Sequence, residues 1–347
     1  MLPLEVLQRA GSEITNYNGS GMSVMEMSHR SKTYLKIFED VMARFRKIGN
    51  IPDNYKVLFL QGGATTQFAA VPMNLIAPAG KADYIITGQF SKKAADEAKK
   101  YGEISIAYDT ADRQHTYIPK QSDLVLDPGA AYVHYCCNNT VYGTEWNYVP
   151  DVGGKTLVCD MSSNMYSRPF DVSKYGVIYA GAQKNMAPAG LTIVIVREDL
   201  AGNALPFTPV MLDYAAQIKG DSMHNTPPCY NIYILGLVLE WIESLGGLEA
   251  IAQRNAKKAA VIYDAIDSSR LFRALAEPEA RSRMNVTFRT ESDEMDKAFI
   301  AFAGEAGLQN VKGYRTVGGM RASIYNAMPM EGAEKLADAI RAFDKNN

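Results

Sequence analysis

The sequence predicts an α/β fold, in which a large domain with a mostly parallel β-sheet precedes a small C-terminal α+β domain. Short apolar runs recur along the chain, helical stretches separate them, and the pattern changes from about Asn231 onward. We place the large domain at residues 1–245, with the N-terminal segment shared with the small domain. The small domain covers residues 246–347.

Seven apolar runs predict the strands of the large domain. Several are nearly continuous, as is typical of strands that are covered on both faces. The runs are KVLFLQG (56–62), DYIITGQF (83–90), ISIAYDT (104–110), YVHYCCN (132–138), TLVCDMSS (156–163), GVIYAGAQ (176–183) and LTIVIVRE (191–198).

Helices are predicted between these runs and in the tail. In SKKAADEAKKYG, Ser91 is expected to be the N-cap and Gly102 the stop. From Asn231, NIYILGLVLEWIESLGG predicts a long helix that closes the large domain, and LEAIAQRNAKKAAVIYDAID predicts another. The strand-like runs RMNVTFRT and MRASIYNA and the helix EGAEKLADAIRAFDKN complete a small α+β domain.

Composition limits the classes of function. The chain has 347 residues, of which 47% are hydrophobic and 21% charged, with a net charge of −2. No block of like charges is present, which argues against nucleic acid or a membrane surface as the main partner. No apolar run approaches a membrane span, and the first residues, MLPLEVLQRA, show no signal peptide. We therefore expect a cytoplasmic protein.

The cysteines and histidines do not have the spacing of metal ligands. No C-x-x-C or H-x-x-x-H group occurs, so we expect no metal site. The residues concerned are Cys136, Cys137, Cys159, Cys229, His29, His115, His134 and His224.

Functional residues of an α/β domain gather where parallel strands end, so the residues at the end of each run are candidates for the site. After the first run, Gly62 and Gly63 allow a tight turn, and Thr65 and Thr66 open a helix. Such a helix start presents free N–H groups to a phosphate, although alone the signal is weak.

Three further residues follow predicted strands. Phe90 is placed to stack on a planar cofactor, although core packing is the alternative. Thr140 is equally well explained as a turn residue. Asp160 ends the apolar run TLVCD, where a carboxylate needs a cation or several donors; helix capping is its alternative role.

Lys184 stands out in IYAGAQKNMAPAG, because no acid lies within nine residues of it. A lysine in neutral surroundings loses its proton more readily, and the neutral amine condenses with an aldehyde. Pyridoxal phosphate requires such a lysine and an acid against its pyridine nitrogen. Lys184 and Asp160 supply this pair, and the Gly62–Gly63 turn is suited to the phosphate.

These residues lie in stretches that resemble the phosphoserine aminotransferase family of fold-type I pyridoxal-phosphate enzymes. The resemblance runs from near residue 2 to about 332 and is more specific than any single motif. The stretches are GMSVMEMSHRS, QFAAVPMNL, EAKKYG, SSNMYSRPFDVSKYGVIYAGAQKNMAPAGLTIVIVRE, NTPP and VGGMRASIYNAMPMEG.

The resemblance implies a homodimer with active sites at the subunit interface and a reversible transamination. Glutamate and 3-phosphohydroxypyruvate would give 2-oxoglutarate and O-phosphoserine, a step of serine biosynthesis. The 4-phosphohydroxythreonine pair of vitamin B6 synthesis is a further implied substrate.

The resemblance also implies residue roles. Lys184 would bond to the cofactor, and Asp160 would pair with the pyridine nitrogen. The other implied cofactor contacts are Gln183, Phe90, Thr140, the backbone of Ala64 and Thr65, and Asn225 and Thr226 from the other subunit. The implied substrate contacts are Arg321 for the α-carboxylate and His29, Arg30 and Arg315 for the phosphate or the glutamate side chain.

Local cations are needed to bind an anionic substrate in a slightly acidic protein, and guanidinium groups suit carboxylate and phosphate. A surface salt bridge is the ordinary role of an arginine, and a structural histidine is the alternative for His29. The motif context favours substrate binding over a surface salt bridge for Arg30 and Arg321. Substrate binding is also favoured over a salt bridge for Arg315.

The sequence departs from the family pattern at two places. The family usually has a segment resembling NFSAGPA before LP..VL, whereas this sequence starts at MLPLEV; this difference motivates one rival function, a pyridoxal-phosphate-binding protein with impaired catalysis. Tyr314 replaces a frequent histidine, and it cannot add positive charge. The other rival is a different enzyme of the same fold, an alanine–glyoxylate or serine–pyruvate aminotransferase, and the set of His29, Arg30 and Arg315 argues against it.

Overall fold

The computed structural model describes residues 1–347 and contains nine α-helices and twelve β-strands. The helices are α1 (Leu4–Ser12), α2 (Lys32–Ile48), α3 (Gly63–Leu75), α4 (Gln89–Ala98), α5 (Tyr214–Lys219), α6 (Cys229–Ser244), α7 (Gly247–Asp267), α8 (Asp293–Glu305) and α9 (Met330–Asn346). The strands are β1 (Tyr55–Leu60), β2 (Lys81–Ile86), β3 (Glu103–Asp109), β4 (Tyr132–Cys136), β5 (Asn138–Asn139), β6 (Thr144–Glu145), β7 (Thr156–Asp160), β8 (Val177–Gly181), β9 (Thr192–Arg197), β10 (Arg273–Ala274), β11 (Asn285–Arg289) and β12 (Met320–Ser323).

A seven-stranded sheet in the order β1-β9-β8-β7-β4-β2-β3 forms the centre of the large domain. The strand pairs from β8 across to β3 are parallel, and β9 pairs antiparallel with both β8 and β1. Each of the seven predicted runs overlaps one of these strands, and β1, β2 and β3 begin one or two residues before their runs. The predicted α/β fold with a mostly parallel sheet is therefore confirmed.

Helices cover both faces of this sheet, which explains why the strand sequences are apolar throughout. On one face, α2 and α6 contribute Phe38 and Leu235 to a large core. On the other face, α3 and α4 contribute Phe68 and Ala95 to a second core.

The C-terminal part has an antiparallel sheet in the order β10-β11-β12, packed against α7, α8 and α9. Its core includes edge-to-face contacts of Phe299 with Phe272 and Phe343. Helix α7 belongs to both cores, since Ile251 packs in the large core and Ile262 in the small one. The boundary at 245/246 stays a prediction, and it coincides with the turn between α6 and α7.

The prediction that Ser91 is the N-cap was wrong by three residues. Helix α4 begins at Gln89, with Gly88 as its N-cap. The Ser91 hydroxyl accepts hydrogen bonds from the N–H groups of Thr87 and Gly88 at 3.1 and 3.2 Å, so it caps the helix from inside the first turn. Phe90 consequently lies in α4 and not on the preceding strand.

Among the helices, none is both long enough and apolar enough to span a membrane.

Candidate active site

The parallel strands β2, β4, β7 and β8 end at one edge of the sheet. Asp160, the last residue of β7, lies at this edge, and the segments that follow β2, β4 and β8 place Phe90, Thr140 and Lys184 there. This is the position at which an α/β sheet opens a crevice for a ligand.

Lys184 lies on the turn after β8 and is half-buried. Its ammonium donates a hydrogen bond of 2.6 Å to the hydroxyl oxygen of Thr140. The Lys184 Nζ atom also lies 5.5 Å from the centroid of the Phe90 ring. The structure therefore brings together three of the predicted cofactor residues, and the hydrogen-bond partner of the lysine is a neutral hydroxyl.

Asp160 ends β7 and is buried, with 4% of its surface exposed. Its carboxylate accepts a hydrogen bond of 2.8 Å from the N–H of Ser162. Burial raises the pKa of Asp160, whereas Ser162, the Lys184 ammonium and the Tyr179 hydroxyl act in the opposite direction. No helix begins after Asp160, so the alternative role as a helix cap does not apply.

The turn before α3 has the backbone expected of a phosphate cradle. Gly62 and Gly63 have φ angles of +95° and +70°, which are left-handed values that favour glycine. Ala64 and Thr65 follow in the first turn of α3, where backbone N–H groups have no partner within the helix. This turn can thus donate to an anion.

Asn225 and Thr226 lie beside this turn in the same chain. The Asn225 amide donates to the Gln61 side chain at 3.0 Å, and Gln61 donates to the carbonyl of Thr226 at 3.1 Å. A cavity of about 220 Å³ is lined by Gln61, Gly62 and Asn225, together with Met211. Their expected contribution to the site of a second subunit stays a proposal.

Arg321 lies on β12 and extends from the small domain toward the same group. One of its terminal nitrogens, Nη1, donates to the carbonyl of Thr140 at 3.4 Å, while its buried Nε has no partner. Thr140 is thus contacted by Lys184 on its hydroxyl and by Arg321 on its carbonyl. The unpaired Nε is a donor available to a carboxylate.

The other predicted substrate residues are not brought together with Lys184. The Arg30 Nε atom lies 3.4 Å from His29 Nε2, and neither side chain is hydrogen-bonded to the Lys184 group. Arg315 is exposed in the turn from Tyr314 to Gly318. Gln183, predicted beside the cofactor ring, is exposed next to Lys184.

Sequence reasoning missed four residues around the site. Asn185, next to Lys184, accepts a 3.0 Å hydrogen bond from the N–H of Asn326, which links the lysine turn to the segment after β12. The Tyr179 hydroxyl lies 2.8 Å from His134 Nε2, behind Asp160. The available signal was that His134 and Tyr179 are polar side chains within otherwise apolar strands.

The residues present fit pyridoxal phosphate. The edge offers an amine, a buried carboxylate, an aromatic ring and the donors of a helix N-terminus. These are the groups that an aldehyde, a pyridine nitrogen, a planar ring and a phosphate require. No three His, Cys, Asp or Glu side chains form a group that could hold a metal ion.

Comparisons with known proteins agree with this arrangement. The sequence profile of the class-V aminotransferases matches residues 1–336. The phosphoserine aminotransferase of Acidithiobacillus ferrooxidans is 52% identical over 348 residues, covering 100% of this chain and 96% of that protein. The solved phosphoserine aminotransferase from Bacillus circulans subsp. alkalophilus is 45% identical, with a TM-score of 0.97, covering 100% of this chain and 96% of that one. The structure of pyridoxal-phosphate-bound phosphoserine aminotransferase from Trichomonas vaginalis is 39% identical, with a TM-score of 0.94, and covers 98% and 97% of the two chains.

The fold and the matched profile define a class-V aminotransferase, an enzyme that depends on pyridoxal phosphate. The identities over the whole chain are specific enough to go further. The chain belongs to the phosphoserine aminotransferase family, and the resemblance inferred from the motifs is confirmed.

Proposed function

We propose that the protein transfers the amino group of glutamate to 3-phosphohydroxypyruvate, reversibly, in two half-reactions that yield 2-oxoglutarate and O-phosphoserine. The observation that supports this most is the convergence of Lys184 and Arg321 on Thr140, beside buried Asp160. This arrangement combines an amine for proton transfer with a guanidinium group for the carboxylate of an amino acid.

Pyridoxal phosphate, when bound, supplies an aldehyde for the amino group and a ring that withdraws electrons. Lys184 takes the proton from Cα of glutamate in one half-reaction and returns a proton to Cα of the second substrate in the other. Thr140 orients the Lys184 amine through the 2.6 Å hydrogen bond. Asp160 holds the proton on the pyridine nitrogen, and Phe90 covers one face of the ring.

Arg321 binds the α-carboxylate, because its Nε has no protein partner and a guanidinium group matches a carboxylate with two parallel donors. His29, Arg30 and Arg315 recognise the second anionic group, which is a phosphate or the glutamate side chain. Tyr314 is 37% exposed beside Arg315 and adds a hydrogen-bond donor there without adding charge. The 4-phosphohydroxythreonine pair has the same two anionic groups and is included in the proposal.

A homodimer completes the site in this proposal. Phe207, Val210 and Met211 are exposed apolar residues in one loop, and Met211 lines the same cavity as Asn225. A second copy that covers this loop would bring its own Asn225 and Thr226 toward the phosphate turn. The cytoplasmic location expected from the sequence belongs to the same proposal.

The first test is the visible absorption spectrum of the protein loaded with pyridoxal phosphate, before and after addition of O-phosphoserine. We expect a yellow protein whose visible band is lost as the cofactor accepts the amino group. Lys184→Ala should abolish turnover, and Lys184→Arg is the matched control that keeps the charge but cannot condense with the aldehyde.

The amino donors separate the rival functions in the same assay. Alanine or serine that bleaches the band faster than O-phosphoserine would favour an alanine–glyoxylate or serine–pyruvate aminotransferase. A yellow protein that responds to no donor would favour a binding protein with impaired catalysis. Substantial turnover by Lys184→Ala would contradict the role of the lysine.

A further inference from the structure

We infer that Asn185 and Asn326 are positioning residues, which hold the turn after β8 in register with the end of strand β12. That turn carries Lys184 and that strand carries Arg321, so the pair fixes the separation between the amine and the guanidinium group of the site. The inference rests on the proposed function, and it assigns a role to buried amide side chains that the mechanism above does not use.

One hydrogen bond joins the two segments directly. The backbone N–H of Asn326, three residues after β12, donates to Oδ1 of Asn185 at 3.0 Å. The amide nitrogen of Asn185 donates in turn to the carbonyl of Met165 at 3.1 Å, so both polar atoms of this side chain are engaged. The exposed fractions of Asn185 and Asn326 are 4% and 0%, so water does not compete for these contacts. Because Asn185 directly follows Lys184, the link reaches the lysine without a spacer.

The side chain of Asn326 is itself fixed by contacts with the large domain and with helix α7. Its amide nitrogen donates to the carbonyl of Tyr166 at 2.9 Å, and its Oδ1 accepts a hydrogen bond of 2.8 Å from Asn255 of α7. Asn255 also donates to the carbonyl of Ser167 at 3.1 Å. A movement of Asn326 would therefore leave buried polar groups unpaired, which costs their full desolvation penalty.

Lys258 of α7 fixes the backbone that leads from β12 to Asn326. Its Nζ donates to the carbonyls of Ile324, Tyr325 and Asn326 at 2.9, 2.8 and 3.2 Å, and the residue is fully buried. A protonated lysine has three N–H donors on one nitrogen, which match these three successive carbonyls. Burial, together with the nearby Arg254 cation, lowers the pKa of Lys258 to about 7, so the complete set of donors is present below about that pH. The segment after β12 is thus curled around a single nitrogen atom.

Thr140 cannot provide the same register between the two segments. It contacts the Lys184 ammonium at 2.6 Å and the Arg321 guanidinium at 3.4 Å. Both contacts end on long side chains, whose charged groups the proposed reaction directs to the substrate. Thr140 therefore orients these groups without fixing the backbone that carries them, whereas the link through Asn326 uses backbone and amide groups that no step of the proposed reaction engages.

The separation of the two segments matters because the proposed reaction uses both on one small molecule. Arg321 binds the α-carboxylate, and Lys184 moves the proton at the adjacent Cα. A shift of β12 relative to the turn would carry Cα away from the amine, and a displacement of about 1 Å can cost about a hundredfold in rate. We therefore expect the link to affect proton transfer rather than cofactor binding.

The test compares Asn326→Ala with Asn74→Ala. Asn74 is a matched control, because it is equally buried and its amide also joins distant segments, through the carbonyl of Leu212 at 2.7 Å and the N–H of Tyr214 at 2.9 Å. Stopped-flow absorption of the protein loaded with pyridoxal phosphate gives the second-order rate constant with which L-glutamate bleaches the visible band. Amide hydrogen exchange of residues 182–190 in the cofactor-free protein is a readout that needs no activity.

We expect Asn326→Ala to lower the bleaching rate constant by about ten- to a hundredfold and to leave the dissociation constant of pyridoxal phosphate unchanged within the error. Asn74→Ala should leave both quantities unchanged. In a protein that already carries Arg321→Ala, the further change Asn326→Ala should cost less than about twofold, because no carboxylate is then held in register with the amine. Equal fold losses with and without Arg321→Ala would overturn the inference and make Asn326 a structural residue alone.

Hydrogen exchange separates this inference from the proposed function. Asn326→Ala should speed exchange in residues 182–190, whereas Asn74→Ala should not, and unchanged exchange in both would also overturn the inference. If Asn326→Ala does not fold, Asn255→Ala removes one of the two hydrogen bonds of the Asn326 side chain and should show the same pattern with smaller losses. Failure of L-glutamate to bleach the unaltered protein would refute the proposed function instead, since the exchange measurement needs no cofactor.

Discussion

Replacing Gly62 with alanine tests the phosphate turn more sharply than any change to a side chain. The φ angle of Gly62 is +95°, and an added Cβ would overlap Thr66 Oγ1 and lie 2.7 Å from Thr66 Cβ. Rotation of the Thr66 side chain moves the hydroxyl but not Cβ, so the backbone must shift. The adjacent Gly63, at +70°, has nothing within 4 Å of an added Cβ and is the matched control.

The two substitutions share the cost of a left-handed backbone, which is about 1–2 kcal/mol for a residue with a Cβ. Gly62→Ala adds steric overlap, which costs about 1–3 kcal/mol in a packed site. We therefore expect the free energy of unfolding to fall by about 1–2 kcal/mol for Gly63→Ala and by about 2–5 kcal/mol for Gly62→Ala.

Urea unfolding of the cofactor-free proteins measures these values, and titration with pyridoxal phosphate shows whether the turn has moved. Removing the Thr66 side chain gives an internal check. The loss of unfolding free energy in the double variant Gly62→Ala, Thr66→Gly should be smaller than the sum of the losses in the two single variants. Equal losses of stability for Gly62→Ala and Gly63→Ala would refute the steric argument.

Three further predictions concern the charged groups and the subunit interface. Arg321→Lys keeps the charge but loses the paired donors, so KM for the amino acid should rise tenfold or more, as steady-state kinetics would show. The pKa of His134 is lowered to about 3 from an ordinary 6.5, so between pH 3 and 6.5 the unfolded chain binds more protons than the folded one. The free energy of unfolding should therefore fall by up to about 1.4 kcal/mol per pH unit as the pH drops from 6.5 to 3. His134→Gln should flatten this part of an acid-unfolding curve. If Asn225 contributes to the active site of the partner subunit, mixed dimers of Lys184→Ala and Asn225→Leu chains should regain activity, because one of their two sites is then intact. Activity of the mixture no greater than that of the separate variants would place Asn225 in the active site of its own chain.

The sequence predicted the sheet and the centre of the site well, because both depend on local pattern. Apolar runs mark strands that are covered on two faces, and the polar residue after each run marks the functional edge. Lys184 and Asp160 were found in this way, and the structure places Thr140 and Phe90 beside the lysine.

The remaining features depend on contacts between distant segments. The Tyr179–His134 pair joins β8 to β4, and strand order cannot be read from a single sequence. Helix α4 starts earlier than expected because Ser91 caps it from within the first turn. His29 and Arg30 gain a role only through the family resemblance, since within one chain they contact each other and not Lys184.

Helix α7, which packs in both cores, has a consequence for how the protein unfolds. Helix α7 has 21 residues and is about 31 Å long, and opposite ends of it complete different apolar interiors. Unfolding of the C-terminal core would also unfold part of α7, which packs in the larger core as well. The two domains should therefore unfold together, in one cooperative heat-absorption peak in calorimetry. A chain cut at 245/246 would leave Ile251 and its neighbours missing from the larger core, and the N-terminal fragment would not be an independent folding unit.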